Sequence, residues 1–475
     1  MLDENARDTW VLFVENRERV IAAMRSGECD AVLPAAQTFL DGFAGFLLKH
    51  DLVDALRNVP DHRNRVSIPS FFFCMTLLHL PLFRMRHLAD IEDVLFRSPF
   101  ILRSLGFNAR QIAEGFYSTI DGPRPFTAEA LADFFSDVTG DELLSQQLGM
   151  LRKLRLCFPD VFQSGVYSMD CMTIAAPPGK CGLSPARFVV CVLSLHLGKI
   201  AIPVLWSFAP ETGEGTGDVS LGRRLVARAR EALQPGDLDL LLIDRGFIDG
   251  AWLAQQVRLG TNVIIGLKTD MAAYADLLGL AQMDNVTWER VPAPKNHHNP
   301  PPERTVALFD SIESWDACAV PLQGLVIRDR HLDGRVEWQA FVTPGKHPDG
   351  RSFYAAQRRR WDEEEQFMGL GRYWGLNDLP PMRLGVAHAI THFTLQAYLL
   401  LALFRREEQI PGHLATRPQE PFPGVELAVY CGQYFALMTG SELMEIVLDN
   451  APAWRSNRKQ WLSAMRLAER RKDSS

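Results

Sequence analysis

A succession of short apolar runs after Phe158-Pro159 limits the folds open to this chain more than any other feature. Apolar or β-branched runs occupy 165–174, 187–196, 199–207, 238–243 and 262–267, and amphipathic stretches occupy 220–233 and 249–258. The runs have the length and composition of strands, while the amphipathic stretches repeat apolar residues at the three- and four-residue spacing of a helix. The order of three strands, a helix, a strand, a helix and a strand predicts a mixed α/β sheet domain.

The rest of the chain supplies further regions around this sheet domain, because 475 residues exceed what a single core usually holds. Helical periodicity predicts an all-helical N-terminal region over 1–158. The sheet domain then begins at 159–268, is interrupted by a β-rich insertion over 269–347, and is completed by helices over 348–405. Residues 406–475 are predicted to return to helices.

Several function classes are disfavoured by the composition. The acidic N-terminus MLDENARDTW lacks an apolar signal core, which predicts a cytoplasmic protein. His297 and His298 lie in a proline-rich loop without nearby ligands, so we expect no metal there. The eight cysteines form no CxxC pair, which favours reduced thiols over disulfides or zinc ligands. These cysteines are Cys29, Cys74, Cys157, Cys171, Cys181, Cys191, Cys318 and Cys431.

The apolar stretch 385–404 is long enough to span a membrane, but it carries His388, Thr391, His392 and Gln396. Because these polar groups are costly in lipid, the stretch is predicted to be a buried helix, and we expect no membrane partner.

The net charge of −7 argues mildly against a nucleic-acid partner, since phosphate binding depends on Lys and Arg. Basic residues nevertheless cluster at Arg358–Arg360, at Arg223–Arg224 and in the C-terminal tail, and the distribution of charge matters more than its total. A solvated face remains the alternative explanation for each cluster.

Two aspartates occupy unusual positions in the predicted strands. Asp170 lies inside the apolar run SMDCMT, where an unpaired carboxylate would be costly to bury. Asp244 follows LDLLLI directly, and strand ends are where α/β sheets bind ligands. Each has a plainer explanation: Asp170 as a surface residue of an edge strand, and Asp244 as the N-cap of the next helix.

A third acid comes from the run WDEEEQF on a predicted helix. Glu364 shares a face with Trp361 and Phe367, which we expect to anchor it, while Arg360 lies one turn earlier and can meet a phosphate. Three carboxylates from separate elements suit two divalent cations such as Mg²⁺ in a phosphoryl-transfer site. The other acids of the run are expected to face solvent: Asp362, Glu363 and Glu365.

These motifs together resemble a known family. The order of YSMDCMT, LLIDRGF, a β-rich insert and RRRWDEEEQF is similar to that of bacterial DDE transposases of the insertion-sequence-four type, whose catalytic core has an RNase H-like fold. The resemblance covers about 160–405 well and extends more loosely to the N-terminal region, which in such proteins helps to bind the transposon ends.

The family's Tyr-x2-Arg-x3-Glu-x6-Lys signature matches only in its middle. Its arginine falls on Arg360 and its glutamate on Glu364, but its tyrosine position is Gln357 and its lysine position is Gly371, with Arg372 next to it. The basic members and the tyrosine contact DNA phosphate in the family, so these departures concern the handling of the transposon end and leave the three acids intact.

The resemblance implies that Asp170, Asp244 and Glu364 bind two Mg²⁺ ions, for which Mn²⁺ can substitute. It also implies double-stranded DNA as partner, namely terminal inverted repeats and target DNA, and a homodimer in a synaptic complex, in a cytoplasmic protein that joins the nucleoid when bound. The expected DNA contacts are Arg360, Arg372, Gln357, Arg358 and Arg245.

Family members insert a tryptophan of the β-rich insert against a flipped base, and the sequence does not choose among three. These are Trp288, Trp315 and Trp338. Two alternative functions remain open: another metal-dependent nuclease of RNase H-like fold, and a decayed transposase that binds DNA without cleaving it, for which Gln357 and Gly371 are the motivating residues.

Overall fold

The computed structural model describes residues 13–34, 39–64, 67–83, 85, 87–96, 99–119, 122–176, 186–211, 217–293, 301–409 and 427–454. The chain divides into two compact units. The first unit comprises Met1–Val138, Tyr373–Gly375 and Leu400–Ser475, and the second comprises Thr139–Arg372 and Leu376–Leu399. His297, His298, Cys181 and the basic tail after Trp454 lie outside the described residues.

The N-terminal part of the first unit is mainly helical. Its elements are β1 (Val14–Glu15), α1 (Arg17–Arg25), β2 (Ala31–Pro34), α2 (Phe39–Lys49), α3 (Val53–Leu56), α4 (Ser70–His79), α5 (Asp90–Val94), α6 (Pro99–Ser104), α7 (Ala109–Glu114), β3 (Tyr117–Thr119), β4 (Gly122–Arg124) and α8 (Ala128–Ser136). Many contacts in this part are between phenylalanine rings. For example, Phe73 meets Phe126 edge to face, and Phe72 stacks on Phe107.

The second unit holds the large sheet. Its elements are α9 (Gly140–Cys157), α10 (Pro159–Phe162), β5 (Gly165–Ala176), β6 (Ala186–Leu197), β7 (Ile200–Pro210), α11 (Asp218–Ala229), β8 (Leu238–Ile243), α12 (Gly250–Arg258), β9 (Asn262–Gly266), α13 (Ala272–Ala281), β10 (Glu289–Arg290), β11 (Glu303–Ile312), β12 (Leu322–Arg330), β13 (Val336–Thr343), α14 (Gly350–Arg358) and α15 (Trp361–Arg372).

The remaining elements complete the chain. Helix α16 (Leu384–Glu407) begins in the second unit and ends in the first, and the first unit then adds β14 (Leu427–Cys431), β15 (Tyr434–Met438), α17 (Gly440–Asp449) and α18 (Ala451–Trp454).

Within the described residues, the sheet of the second unit has nine strands in the order β10-β11-β12-β13-β9-β8-β5-β6-β7. Strands β5, β6 and β7 are antiparallel neighbours, whereas β8 runs parallel to β5, and β9 parallel to β8. The predicted mixed α/β sheet is therefore confirmed.

The region predicted as a β-rich insertion continues this sheet, since β13 pairs with β9. It also contains a helix that was not predicted, α13, formed by the run AAYADLLGLA, whose alanines and leucines are good helix formers.

The predictions of an all-helical region over 1–158 and of helices over 406–475 were wrong in part. Strands β1 and β2 belong to a four-stranded sheet with β14 and β15, in the order β1-β15-β14-β2, and β3 pairs with β4 as a separate ribbon. Val14 pairs with Tyr434, and Leu33 with Ala428. Strands of two to five residues leave little local periodicity, and their partners lie at the other end of the sequence, so the pattern alone does not reveal them.

Helix α16 is the only helix among the described residues that has the length and hydropathy of a membrane span. However, 94% of its apolar window is buried within the protein. Its polar residues make internal contacts. The Trp206 Nε1–H donates to His392 Nδ1 at 3.1 Å, and the Gln396 amide donates to Gln147 at 2.8 Å. The helix is a core helix, as predicted.

Candidate functional site

Strand pairing brings Asp170 and Asp244 to adjacent positions. In the parallel pair of β5 and β8, Met169 lies opposite Ile243, and the next residue along each chain is the aspartate. The Oδ1 atom of Asp244 accepts the Gly246 N–H at 2.6 Å and so caps the short 3-10 helix Arg245–Phe247. The capping role anticipated for Asp244 is real, and it coexists with a position on the wall of a cavity.

Asp170 is a partly buried carboxylate in the middle of the sheet and not a residue of an edge strand, because β5 lies between β8 and β6. Burial, which is the main cause, raises the pKa of Asp170 to about 6, with smaller contributions of the same sign from Asp244 and Asp218. The Cys171 N–H and the Arg360 guanidinium act in the opposite direction. The Asp170 carboxyl therefore lies near two further acids, Asp244 and Asp218, and near one cation, Arg360.

Glu364, on α15, is linked to Asp170 through Arg360. The guanidinium of Arg360 contacts Asp170 Oδ2 at 3.4 Å with one nitrogen, and with the other it makes an ion pair with Glu364 Oε1. Asp170 and Glu364 thus lie on either side of one cationic group. Both carboxylates are partly exposed, with 25% and 34% of the side chain accessible.

The cavity beside the end of β8 has a volume of about 550 Å³. Most of the predicted site residues line it. The predicted residues on its wall are Asp244, Arg245, Gln357, Arg358, Arg360 and Glu364. Asp170 reaches this group through Arg360, while Arg372, which is exposed, does not line the cavity.

Asp218 is a fourth carboxylate that was not selected from the sequence. It opens α11, and its Oδ2 lies 3.1 Å from the point that a Cβ atom on Gly246 would occupy, while Asp244 Oδ1 lies 3.7 Å from the same point. Gly246 therefore leaves a gap between two carboxylates that any larger residue would fill. In the sequence, the only sign of a role for Asp218 is its position at the start of a predicted helix. Acids that only stabilise a helix N-terminus occupy the same position, so this sign does not identify a site residue.

The prediction that Glu363 faces solvent was wrong. Its side chain is fully buried on the face of α15 that also buries Gln366 and Leu370. Burial raises the pKa of Glu363 well above its ordinary value, as does Asp170, and the hydroxyls of Ser168 and Ser194 offset part of the effect. The spacing of 363, 366 and 370 is a helical stripe, so it was present in the sequence.

The aromatic anchor expected from Trp361 is absent, because 51% of this residue is exposed. Asp362 and Glu365 differ from each other. Asp362 is partly buried, with an oxygen 3.6 Å from His196 Nδ1, whereas Glu365 is exposed as predicted.

Among the three tryptophans of the insert, Trp338 lines the cavity. The ring centroids of Trp288 and Trp338 are 6.0 Å apart. The Arg328 guanidinium stacks over the Trp288 ring, 3.8 Å from its centroid. Trp315 is partly exposed and is not on the cavity wall.

The donor set suits a hard cation such as Mg²⁺, because all four acids offer carboxylate oxygens and the gap over Gly246 adjoins two of them. As the side chains stand, no group of three or more His, Cys, Asp or Glu residues in the described ranges is close enough to hold a metal ion. Arg360 occupies the place between Asp170 and Glu364, so its guanidinium supplies the positive charge there.

Comparisons with known proteins add no assignment: no protein-family model matches the chain, and no similar sequence is found among curated proteins.

Proposed function

We propose that this protein is a DDE transposase of the insertion-sequence-four type, which cleaves DNA at transposon ends and transfers the strands into target DNA. One observation carries the proposal. Asp244 at the end of β8 and Glu364 on α15 line one cavity, and Asp170 in β5 adjoins them through strand pairing and through its contact with Arg360, although the three acids are far apart in the sequence.

The topology supports an RNase H-like core for this activity. Three consecutive antiparallel strands, β5 to β7, are extended on the β5 side by the parallel strands β8 and β9. In this arrangement the first strand is central, and its acid lies beside the acid that ends the fourth strand. Strands β10 to β13 then prolong the sheet beyond β9.

The carboxylate oxygens of the site are the kind of ligand that the two ions of this function need. Asp170, Asp244 and Glu364 would hold two Mg²⁺ ions, or Mn²⁺ in their place, with Asp218 as a neighbouring acid. When bound, such ions activate a water or a 3′-hydroxyl and stabilise the leaving oxygen of an in-line attack. The protein contributes position and charge: the strand pairing fixes the two aspartates, and α15 delivers the glutamate.

The arginine side chains that line the cavity favour double-stranded DNA as the substrate. Arg245, Arg358 and Arg360 line it, and the planar fork of arginine suits a phosphate. Arg360 would turn from the carboxylates to a phosphate when DNA binds, which would leave Asp170 and Glu364 facing each other. Trp338 would be the tryptophan that stacks on a base, because it lines the cavity and Trp288 does not.

Cutting two transposon ends together calls for a homodimer in a synaptic complex, formed in the cytoplasm on the nucleoid. The chain is acidic overall, with a net charge of −7, so the proposed DNA surface is the local set of arginines around the cavity.

Cleavage of a labelled duplex that carries the element's own terminal repeat tests this function. With Mg²⁺, nicking is expected at the repeat boundary, and EDTA is expected to stop it. Glu364→Gln should reduce the rate by about a hundredfold or more while DNA binding is kept, because a charge-stabilising group is lost. Glu365→Gln, an exposed neighbour on the same helix, is the matched control and should cleave normally.

The second candidate function, a protein that binds DNA without cleaving it, rests on Gln357 and Gly371, which replace the family's tyrosine and lysine. Binding of the terminal repeat without any cleavage by the wild type would establish it. Cleavage without preference for the repeat would instead indicate a stand-alone nuclease.

A further inference from the structure

A pair of cysteines from opposite ends of the sequence meets in the first unit. Strand β2 pairs antiparallel with β14, and the pairing is prolonged past the strand ends. The Asp30 N–H donates to Tyr430 O at 2.9 Å, and the Gly432 N–H donates to Asp30 Oδ2 at 2.5 Å. These bonds hold Cys29, just before β2, next to Cys431, the last residue of β14.

Both cysteines open onto a cavity of about 810 Å³. Cys29 is partly exposed and Cys431 is 8% exposed, and Arg19 and Tyr434 form part of the wall around them. The volume is that of a site for a small molecule, and both cysteines are part of its lining.

The local chemistry activates Cys431. A hydrogen bond with the Cys29 side chain lowers the pKa of Cys431, against the opposing effects of burial and of the charges of Asp30 and Glu28, and the Cys431 Sγ also lies 3.5 Å from the Glu28 carbonyl oxygen. Since the thiolate is the nucleophile in exchange with a disulfide, Cys431 is the member of the pair that reacts first.

A second pair of cysteines in the chain shows the opposite environment. Cys171 lies directly opposite Cys191 in the pairing of β5 with β6, but Cys191 is fully buried. The hydrogen bond with Cys191 and burial both raise the pKa of Cys171. This pair is expected to remain reduced and serves as an internal control.

We propose that Cys431 and Cys29 form a thiol–disulfide exchange site whose co-substrate is a small organic disulfide. The Cys431 thiolate attacks the co-substrate, a bond forms to one of its sulfur atoms, and the other half leaves as a thiolate. Cys29 then gives up its proton and attacks Cys431, which forms the Cys29–Cys431 disulfide and releases the second half. Two protein thiols are oxidised, and one small disulfide is reduced to two thiols.

The product ties β2 to the hairpin of β14 and β15, which only non-covalent contacts hold in the described structure. This inference is independent of the proposed DNA activity, because none of its residues belongs to the cavity near Asp244.

The test uses the full chain, fully reduced, then equilibrated with glutathione buffers of increasing oxidised fraction and quenched by alkylation. Peptide mass spectrometry is expected to find a linked Cys29–Cys431 peptide, while Cys171 and Cys191 are alkylated. Cys29→Ser should stop at a glutathione adduct on Cys431, and Cys431→Ser should give neither product at this site.

Hydrogen exchange supplies a second readout on the wild type alone: the amides of Ala31–Pro34 and Leu427–Cys431 should exchange more slowly in the oxidised protein. The proposal fails if the wild type forms no Cys29–Cys431 link at any buffer ratio, or if Cys171 and Cys191 link first. Neither outcome depends on whether the serine variants fold.

Discussion

At position 371 the side chain of Asn377 fills the space that the lysine of the family signature would need. A Cβ atom on Gly371 would lie 2.3 Å from Nδ2 and 2.7 Å from Cγ of Asn377, so the residue is a glycine where α15 meets the following turn. Arg372, one residue on, is exposed and does not line the cavity. A glycine at this position therefore has a packing explanation that does not depend on any family.

The variant Gly371→Lys tests this packing. It is expected to lose about 1 to 3 kcal/mol of stability through overpacking and to gain no affinity for DNA. Chemical denaturation and DNA titration measure the two effects. Adding Asn377→Gly should recover most of the stability. If Gly371→Lys alone proves as stable as the wild type, the close approach of Asn377 is not what constrains this position.

Two adjacent glutamates offer a further test at the scale of the residue. Glu364 borders the cavity and pairs with Arg360, whereas Glu363 is buried below, near Ser168 and Ser194. Glu363→Gln keeps the shape and removes a buried ionisable group, so we expect cleavage within about threefold of the wild type and unchanged or greater stability.

The comparison uses single-turnover cleavage, with thermal unfolding as the control for folding. If a well-folded Glu363→Gln variant lost cleavage while Glu364→Gln stayed active, Glu363 and not Glu364 would be the metal ligand.

At the scale of the element, the central strands could be predicted because their signal is local. The run 238–243 coincides with β8, and the runs 165–174 and 187–196 fall within β5 and β6. The proposed site could be selected from the same signal, since a carboxylate inside or directly after such a run is unusual. The prediction that Glu363 faces solvent was wrong, because the buried face of α15 follows the stripe of Glu363, Gln366 and Leu370 and not the aromatic residue Trp361.

Helix α16 carries a pH dependence that follows from its polar contacts. His392 accepts the Trp206 N–H at Nδ1 and lies 2.8 Å from Gln146 Oε1 at Nε2, so the neutral ring is fully partnered. Burial lowers the pKa of His392 from 6.5 to about 3. Between these values the unfolded chain binds a proton that the folded chain does not, so stability falls as the pH drops below 6.5 and levels off near 3.

The expected slope from this residue is about 1.4 kcal/mol per pH unit in that window. Urea unfolding at a series of pH values measures it, and His392→Gln should flatten the curve at a cost in stability at neutral pH. His388, whose pKa burial lowers to about 4, adds a second contribution of the same sign. Asp170 and Glu363, whose pKa values are raised, act in the opposite direction in this window, so the comparison is between the two proteins: a His392→Gln variant whose stability varies with pH just as the wild type's does would contradict the neutral, buried assignment.

At the scale of the whole molecule, the first unit is built from both ends of the sequence. Strands β1 and β2 pair with β15 and β14, and Val32 and Val429 share a core cluster with Met24 and Met438. Such a sheet cannot form until distant segments meet, and its strands carry little sequence pattern of their own. This is the physical reason that the terminal regions were predicted as purely helical.

If the terminal segments form one cooperative element, weakening one strand must expose its partner. Val429→Ala removes two buried methyl groups and is expected to cost about 1 to 3 kcal/mol. Hydrogen exchange should then accelerate together in Leu427–Cys431 and Ala31–Pro34, while Leu238–Ile243 in the second unit is unchanged. Leu448→Ala, at a side chain that is 66% exposed, is the matched control and should leave all three segments unaffected. Faster exchange confined to Leu427–Cys431 would mean that the N-terminal strand is held by other contacts, whereas a joint response would show that the two ends of the sequence stabilise each other.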